Sequence, residues 1–178
     1  MGDVIRVMIS EEEIEKRVKE LGEIISRDYA GKTLHMICVL KGGVYFMTDL
    51  SKRISEDVPV TLDFMSVSSY GDDTKSSGVV RIVKDLDQPL EGKDVLLVED
   101  IIDSGRTLYY LMDIMRGRHP KSLKLCTLLN KPDRRERDVK VDYTGFMIEN
   151  NFVVGCGMDY KQKYRNLPYV GAVERIEE

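Results

Sequence analysis

Glu99, Asp100 and Asp103 place three carboxylates within a few residues, and Ser104-Gly105-Arg106-Thr107 follows at once. The full stretch, "VLLVEDIIDSGRTL" over 95–108, reads as an apolar strand that stops at the first two acids, then a turn, then a helix. At a helix start the backbone N–H groups have no partners and point toward one spot. Ser104 and Thr107 add hydroxyl donors, and Gly105 lets a ligand approach the backbone closely. That is a cup for phosphate; the plainer alternative is an ordinary helix start capped by Asp103 or Ser104. Paired carboxylates beside it suit either vicinal sugar hydroxyls or magnesium held through one or two oxygens and waters. Hydroxyls next to a phosphate describe a ribose 5-phosphate. Neither G-x-x-x-x-G-K-[ST] nor G-x-G-x-x-G occurs, so a triphosphate loop and a dinucleotide fold are set aside.

The elements that must position this loop follow from periodicity. Ser10 and Glu13 fit a capping box, and Ile14, Val18, Leu21 and Ile25 recur at helical spacing, predicting a helix over 10–29. "TLHMICVL" (33–40) predicts a strand, Lys41-Gly42-Gly43 a turn, and "VYFMTDLSKRI" a helix. "VTLDFMSVSSY" (60–70) and "GVVRIVKDL" (78–86) predict two strands joined by a mobile polar loop. "DVLLVED" has the unbroken apolar character of a central parallel strand covered on both faces. "TLYYLMDIMRG" predicts a helix and "SLKLCTLLN" (122–130) another buried strand. "RRERD" reads as a solvated charge run, with β-like segments beyond it near 141–148, 152–157 and 168–173. No repeat or linker divides the chain, which predicts one α/β domain over 1–178 with a mostly parallel sheet and some antiparallel additions. In such sheets ligands bind at the carboxyl ends of the strands, where Lys41-Gly42-Gly43, the 99–107 loop and Asn130-Lys131 should converge.

The 178 residues carry a net charge of -4, which gives no broad attraction to nucleic acid or anionic membrane. Three cysteines, Cys38, Cys126 and Cys156, sit far apart in apolar surroundings, as buried free thiols of a reducing compartment do. No stretch is long and apolar enough to span a membrane, and "MGDVIRVMIS" lacks a signal-peptide core, so a cytoplasmic location is expected. With two well-separated histidines, His35 and His119, a zinc site is not expected.

"VLLVEDIIDSGRT" resembles the phosphoribosyl pyrophosphate (PRPP) signature of the type I phosphoribosyltransferases, and within them the hypoxanthine-guanine enzymes. "LKGG", "SSYG", "NKP" and "FVVGCGMDYKQKYRNLPYVG" extend the likeness over most of the chain in the family's order. The resemblance implies the family's fold: a central mostly parallel sheet flanked by helices, with a small purine-binding hood from about 150–178 and N-terminal residues. It also implies transfer of the phosphoribosyl group from Mg-PRPP to N9 of hypoxanthine and guanine, giving IMP or GMP and pyrophosphate, with Mg²⁺ as cofactor and a homodimer or homotetramer as the assembly.

Residue by residue, the resemblance gives Glu99 and Asp100 the ribose hydroxyls and a share in the metal. It gives 103–107, with Arg106 in a supporting part, the 5′-phosphate, and Asp103 the proton at N7 of the base. The Lys41-Gly42 peptide, often cis in the family, would meet pyrophosphate, as would Arg165. Ser69 and Tyr70 would root a loop over 70–79 that closes on PRPP and excludes water. Lys131 would donate to the purine 6-oxo group, Phe152 would cover the ring, the Val153 backbone would read its edge, and Asp159 would bind magnesium directly or through water. Without the resemblance these positions read more plainly: Lys41-Gly42-Gly43 as a tight turn, 71–78 as an exposed loop, Lys131 as a solvated lysine, Phe152 and Val153 as core, Asp159 as a turn residue and Arg165 as a surface charge. Two other readings remain at this point. An RNA-binding regulator on the same fold would need a basic face, which "RRERD" alone does not make. A receiver-type phosphoacceptor domain would carry its acidic pair near the chain start, not at residue 99.

Overall fold

Ser10 opens the first helix, α1 (Glu11–Asp28), with both halves of a capping box: its Oγ accepts from the Glu13 N–H at 3.2 Å, and Glu13 Oε2 accepts from the Ser10 N–H at 2.8 Å. Ile14, Val18, Leu21 and Ile25 form the buried face, as their spacing predicts. The computed structural model describes residues 4–69 and 80–174. Within them, β1 (Val4–Ile9), β2 (Leu34–Leu40), α2 (Val44–Ser51), β3 (Val60–Ser69) and β4 (Val80–Lys84) lead to β5 (Asp94–Ile102) and α3 (Arg106–Arg116). The chain ends through β6 (Ser122–Asn130), a 3₁₀ turn at Pro132–Arg134, β7 (Tyr143–Met147), β8 (Val153–Val154) and β9 (Val170–Glu174).

Six strands form one sheet in the order β4-β3-β2-β5-β6-β7. Every neighbouring pair is parallel except β3 with β4. The side-chain alternation of a strand explains why β2 and β5 are apolar throughout. Met36, Cys38, Leu96 and Val98 join the core under α1 and α2, whereas Ile37, Val39, Val95 and Leu97 join the core under α3. Each fully buried aliphatic side chain there contributes about 1.5–3 kcal/mol. The three cysteines are buried and unpaired. Burial pushes the Cys38 thiol up to about 12 and the Cys156 thiol up to about 11, so neither is a thiolate nucleophile at neutral pH.

Four boundaries differ from the sequence reading, each for a physical reason. β5 does not stop at Glu99: its backbone keeps pairing with β6 through Ile102↔Asn130, because ladder hydrogen bonds do not depend on side-chain polarity. α2 ends at Ser51 rather than running through "KRI", as Thr48 and Ser51 turn their hydroxyls onto the Val44 and Thr48 carbonyls and the chain tightens into i→i−3 bonds. β8 keeps only two residues, since Gly155, Cys156 and Gly157 all take positive φ and turn the chain away. β1 carries no clear pattern of its own and becomes a strand by pairing antiparallel with β9, which also pairs with β8. This small second sheet is the hood. The segment 70–79, expected to be a mobile loop, lies outside the described residues with Tyr70; Ser69 ends β3, paired with Val80.

Candidate active site

At the carboxyl edge of the sheet, β5 delivers two side chains into two adjoining cavities. Glu99 lines one of about 210 Å³ with Asp103, Ser104, Gly105 and Thr107. Asp100, one residue on and facing the other way, lines one of about 230 Å³ with Asp103, Lys131, Phe152, Val153 and Asp159. Asp103 is common to both. The expected convergence of the β5 and β6 ends is therefore present, and the hood supplies the remaining wall.

The loop that makes the first cavity is shaped by its backbone. Gly105 stands at the N-cap of α3 with φ 77°, a left-handed conformation that a side chain disfavours, and no side chain caps the helix. Asp103 and Ser104 are thus not the N-cap of α3. Ser104 Oγ accepts only a long 3.4 Å bond from the Arg106 N–H, while its carbonyl accepts from Glu136 and Arg137. The Arg106 side chain pairs with Glu136 and lines neither cavity.

"RRERD" is not merely a solvated run. Arg135 Nε donates to the Asp103 carbonyl at 3.1 Å and Nη2 to Asn130 Oδ1 at 2.6 Å, fastening the loop after β5 to the end of β6. Arg134 Nε stands 3.3 Å from Asp103 Oδ1. The only signal in the sequence was position, one turn beyond Asn130-Lys131-Pro132, and composition hid it.

Glu99 and Asp100 are half-buried, and burial raises both carboxyls above their ordinary values. For Glu99 the adjacent Asp100 charge adds to the rise; for Asp100 the Ile101 N–H at 2.7 Å and the Arg165 guanidinium oppose it. Two adjoining carboxylates whose charges disfavour one another suit a divalent cation, which takes one or two carboxylates and fills its other positions with waters and phosphate oxygens. Asp159 does not complete a three-acid cluster: among the described residues no group of three or more metal-ligating side chains forms. It is committed to Arg165 Nη2 at 2.9 Å and to the Gln162 N–H at 2.8 Å, although it still lines the Asp100 cavity.

Lys131 is buried, 6% exposed, and not the solvated lysine of the plainer reading. Its Nζ donates to the Asn151 carbonyl at 2.6 Å, and burial pulls its pKa down against the attraction of Asp103. Phe152, conversely, is 57% exposed, so it is no core residue; its ring meets Tyr160 edge-on at 5.7 Å, while Val153 beside it is buried.

Lys41, Gly42 and Arg165 line neither cavity but close their rim. Lys41 Nζ reaches Gln162 Oε1 at 3.4 Å, and Arg165 donates to that same oxygen at 3.2 Å and to the Gly157 carbonyl at 2.7 Å. A methyl group on Gly42 would lie 2.0 Å from Asp100 Oδ2, and one on Gly157 would lie 1.8 Å from the Gly42 carbonyl. Asp100, Gly42 and Gly157 thus stack without room for a side chain. The cis peptide bond is Leu40–Lys41, one bond earlier than the Lys41–Gly42 bond singled out from the sequence.

Residues 8–161 match the phosphoribosyl transferase domain family. The chain belongs to that family. This phosphoribosyltransferase is 52% identical over 172 residues to the hypoxanthine-guanine phosphoribosyltransferase of Bacillus subtilis, covering 97% of this chain and 94% of that one. It is 51% identical over 173 residues to the bifunctional protein TilS/HprT of Listeria monocytogenes, of whose length it spans 26%. A crystal structure of a hypoxanthine phosphoribosyltransferase from Staphylococcus aureus superposes with a TM-score of 0.91 at 46% identity, covering 95% of this chain and 91% of that one. Among the described residues no helix of this phosphoribosyltransferase is long and apolar enough to cross a membrane.

Proposed function

We propose that this phosphoribosyltransferase is a purine-salvage enzyme that transfers the 5-phosphoribosyl group from Mg-PRPP to N9 of hypoxanthine and guanine, giving IMP or GMP and pyrophosphate. The observation that carries this reading is Lys131, a buried ammonium at the floor of the cavity that Phe152 overhangs and Asp103 enters. An ammonium has three donors and Lys131 spends one on the Asn151 carbonyl. The others suit a 6-oxo group and are mismatched to the 6-amino group of adenine. The exposed Phe152 ring regains contact area when a flat base covers it, and the Val153 backbone would read the base edge.

In the other half, the backbone N–H groups of 103–107 with the Ser104 and Thr107 hydroxyls hold the 5′-phosphate, and Gly105 lets it come close. Glu99 and Asp100 accept from the ribose hydroxyls. Glu99 and Asp100, with Asp159 through water, would hold magnesium, which would supply charge compensation for pyrophosphate. Arg165 and the Lys41-Gly42 backbone bind the leaving pyrophosphate, and Ser69 and Tyr70 root the segment that closes over it. As N9 forms its bond to C1 of the ribose, the C1–O bond breaks, pyrophosphate leaves with the electron pair, and Asp103 takes the proton from N7. Residues 1–178 act as one catalytic domain in the cytoplasm; a homodimer or homotetramer rests on the family resemblance alone.

The direct test is a PRPP-dependent assay with hypoxanthine, guanine, xanthine and adenine, with and without Mg²⁺. Nucleotide should form from hypoxanthine and guanine only when Mg²⁺ is present, and not from adenine. No nucleotide from any oxopurine would sink the proposal.

A further inference from the structure

A cavity larger than either of the two at the carboxyl edge lies away from the carboxylates. It measures about 600 Å³ and lies at the opposite edge of the sheet, where β2, β3 and β5 begin. Three ammonium groups surround it, from Lys32, Lys93 and Lys121, against one carboxylate, Asp94. This is a local reversal of sign in a chain whose net charge is -4. Asp94 is already bound by the Ser122 hydroxyl at 2.5 Å and stands 3.9 Å from Lys121 Nζ, too far for a hydrogen bond. Lys32 lies over the Tyr29 ring, 5.7 Å from its centre, and pairs with no carboxylate among the described residues.

His35 is the second observation. It lines the same cavity, is 1% exposed, and has its Nδ1 2.7 Å from Thr61 Oγ1, yet its Nε2 has no hydrogen-bond partner. The nearest acid, Asp63, is 3.9 Å away, with its oxygens taken by the N–H groups of Phe64, Asp87 and Gln88. Burial, and then the Lys93 charge, lowers the imidazole pKa and favours the neutral ring. Nε2 itself is shut off from the cavity, so the ring offers a neutral aromatic wall rather than a hydrogen bond. Leu62, 47% exposed, and the lysine stems give the cavity an apolar wall.

We propose that this cavity is a second binding site, for a phosphomonoester of mononucleotide size: the lysines take the phosphate, while His35, Thr61 and Leu62 take the ring body. Phosphate alone would leave most of the volume unused. The volume falls within the range of small-molecule sites, about 300–1,000 Å³.

The test titrates the full chain with adenosine 5′-monophosphate and separately with inorganic phosphate, following the backbone amides of both sheet edges by NMR. We expect saturable shifts at residues 31–35, 61–62 and 88–94 with the nucleotide, and weaker binding of phosphate. In a Lys93→Glu/Lys121→Glu variant the nucleotide affinity should fall by about tenfold or more, with catalytic turnover unchanged. Shifts confined to 99–107 and 131, no saturable shift at the amino edge by about 10 mM, equal affinity for phosphate, or an unaffected variant would each overturn the assignment. A separate titration with GMP that fails to perturb 99–107 would instead strike the catalytic reading and leave this one interpretable.

Discussion

The 99–107 stretch and the 131–165 wall meet in the same cavity by different means. The first is continuous: one strand end and one helix start place Glu99, Asp100, Asp103 and Thr107 through local backbone geometry. The second is assembled from the end of β6, a turn of positive-φ residues and a hood whose β9 is sandwiched between β1 and β8. A site built from backbone can be set by a short sequence, whereas one built from pairing depends on distant partners. The two halves are joined where Asp100, Gly42 and Gly157 stack. This division leads us to expect chemistry to depend on the first half, PRPP affinity on the first half with the Arg165 rim, and base recognition on Lys131, Phe152 and Val153 of the second.

The largest expected effect is on chemistry in the first half. Asp103→Asn removes the proton acceptor while keeping the loop's backbone, and kcat should fall by about 10²–10⁴-fold with calorimetric PRPP affinity largely kept; unchanged turnover would remove Asp103 from the reaction. Next comes the seam. Gly157→Ala adds strain at φ 98° and a methyl group 1.8 Å from the Gly42 carbonyl, and should cost about 3 kcal/mol or more in chemical denaturation and damage both halves together. A variant of normal stability would show the halves to be less tightly stacked.

A subtler separation uses pH. The folded state raises the Glu99 pKa above its ordinary 4.5, so the folded form holds that proton more tightly than the unfolded chain does. The resulting stabilisation is complete below 4.5 and is lost as pH rises through the folded value. Metal-free Tm should therefore decline with pH above 4.5, less steeply in Glu99→Gln, and Mg²⁺ should offset the decline in the parent. Parallel Tm–pH curves for the two proteins would count against the buried pair. The smallest effect belongs to the second half. Phe152→Leu keeps an apolar cover but loses the ring, and should raise the KM for hypoxanthine by about two- to tenfold without altering thermal stability; a fall in Tm of several degrees would return Phe152 to the core.

The same contrast accounts for what could be read in the sequence. α1, β2, β5 and β6 were legible because periodicity and unbroken apolar runs reflect burial directly, and the turn from β5 into α3 because strand, glycine and helix adjoin in the chain. The residue-by-residue roles in the second half came from family resemblance, and simple patterning points the wrong way there. Phe152 looks like core and is exposed; Lys131 looks solvated and is buried. β1 has no pattern apart from its pairing with β9, and Arg135 fastens the loop from within a charge run, a bond between residues 32 positions apart that composition does not encode. The amino-edge cavity was also invisible, because Lys32, His35, Thr61, Lys93 and Lys121 belong to segments that only the sheet brings together.

The division of labour is tested most directly with Lys131→Met, by measuring kcat/KM for hypoxanthine and the calorimetric Kd of PRPP in the same preparation. Loss of a charge-assisted hydrogen bond should lower the first by about 10–100-fold, while PRPP affinity stays within about twofold of the parent. PRPP affinity that fell in parallel, or hypoxanthine turnover that did not fall, would contradict the account.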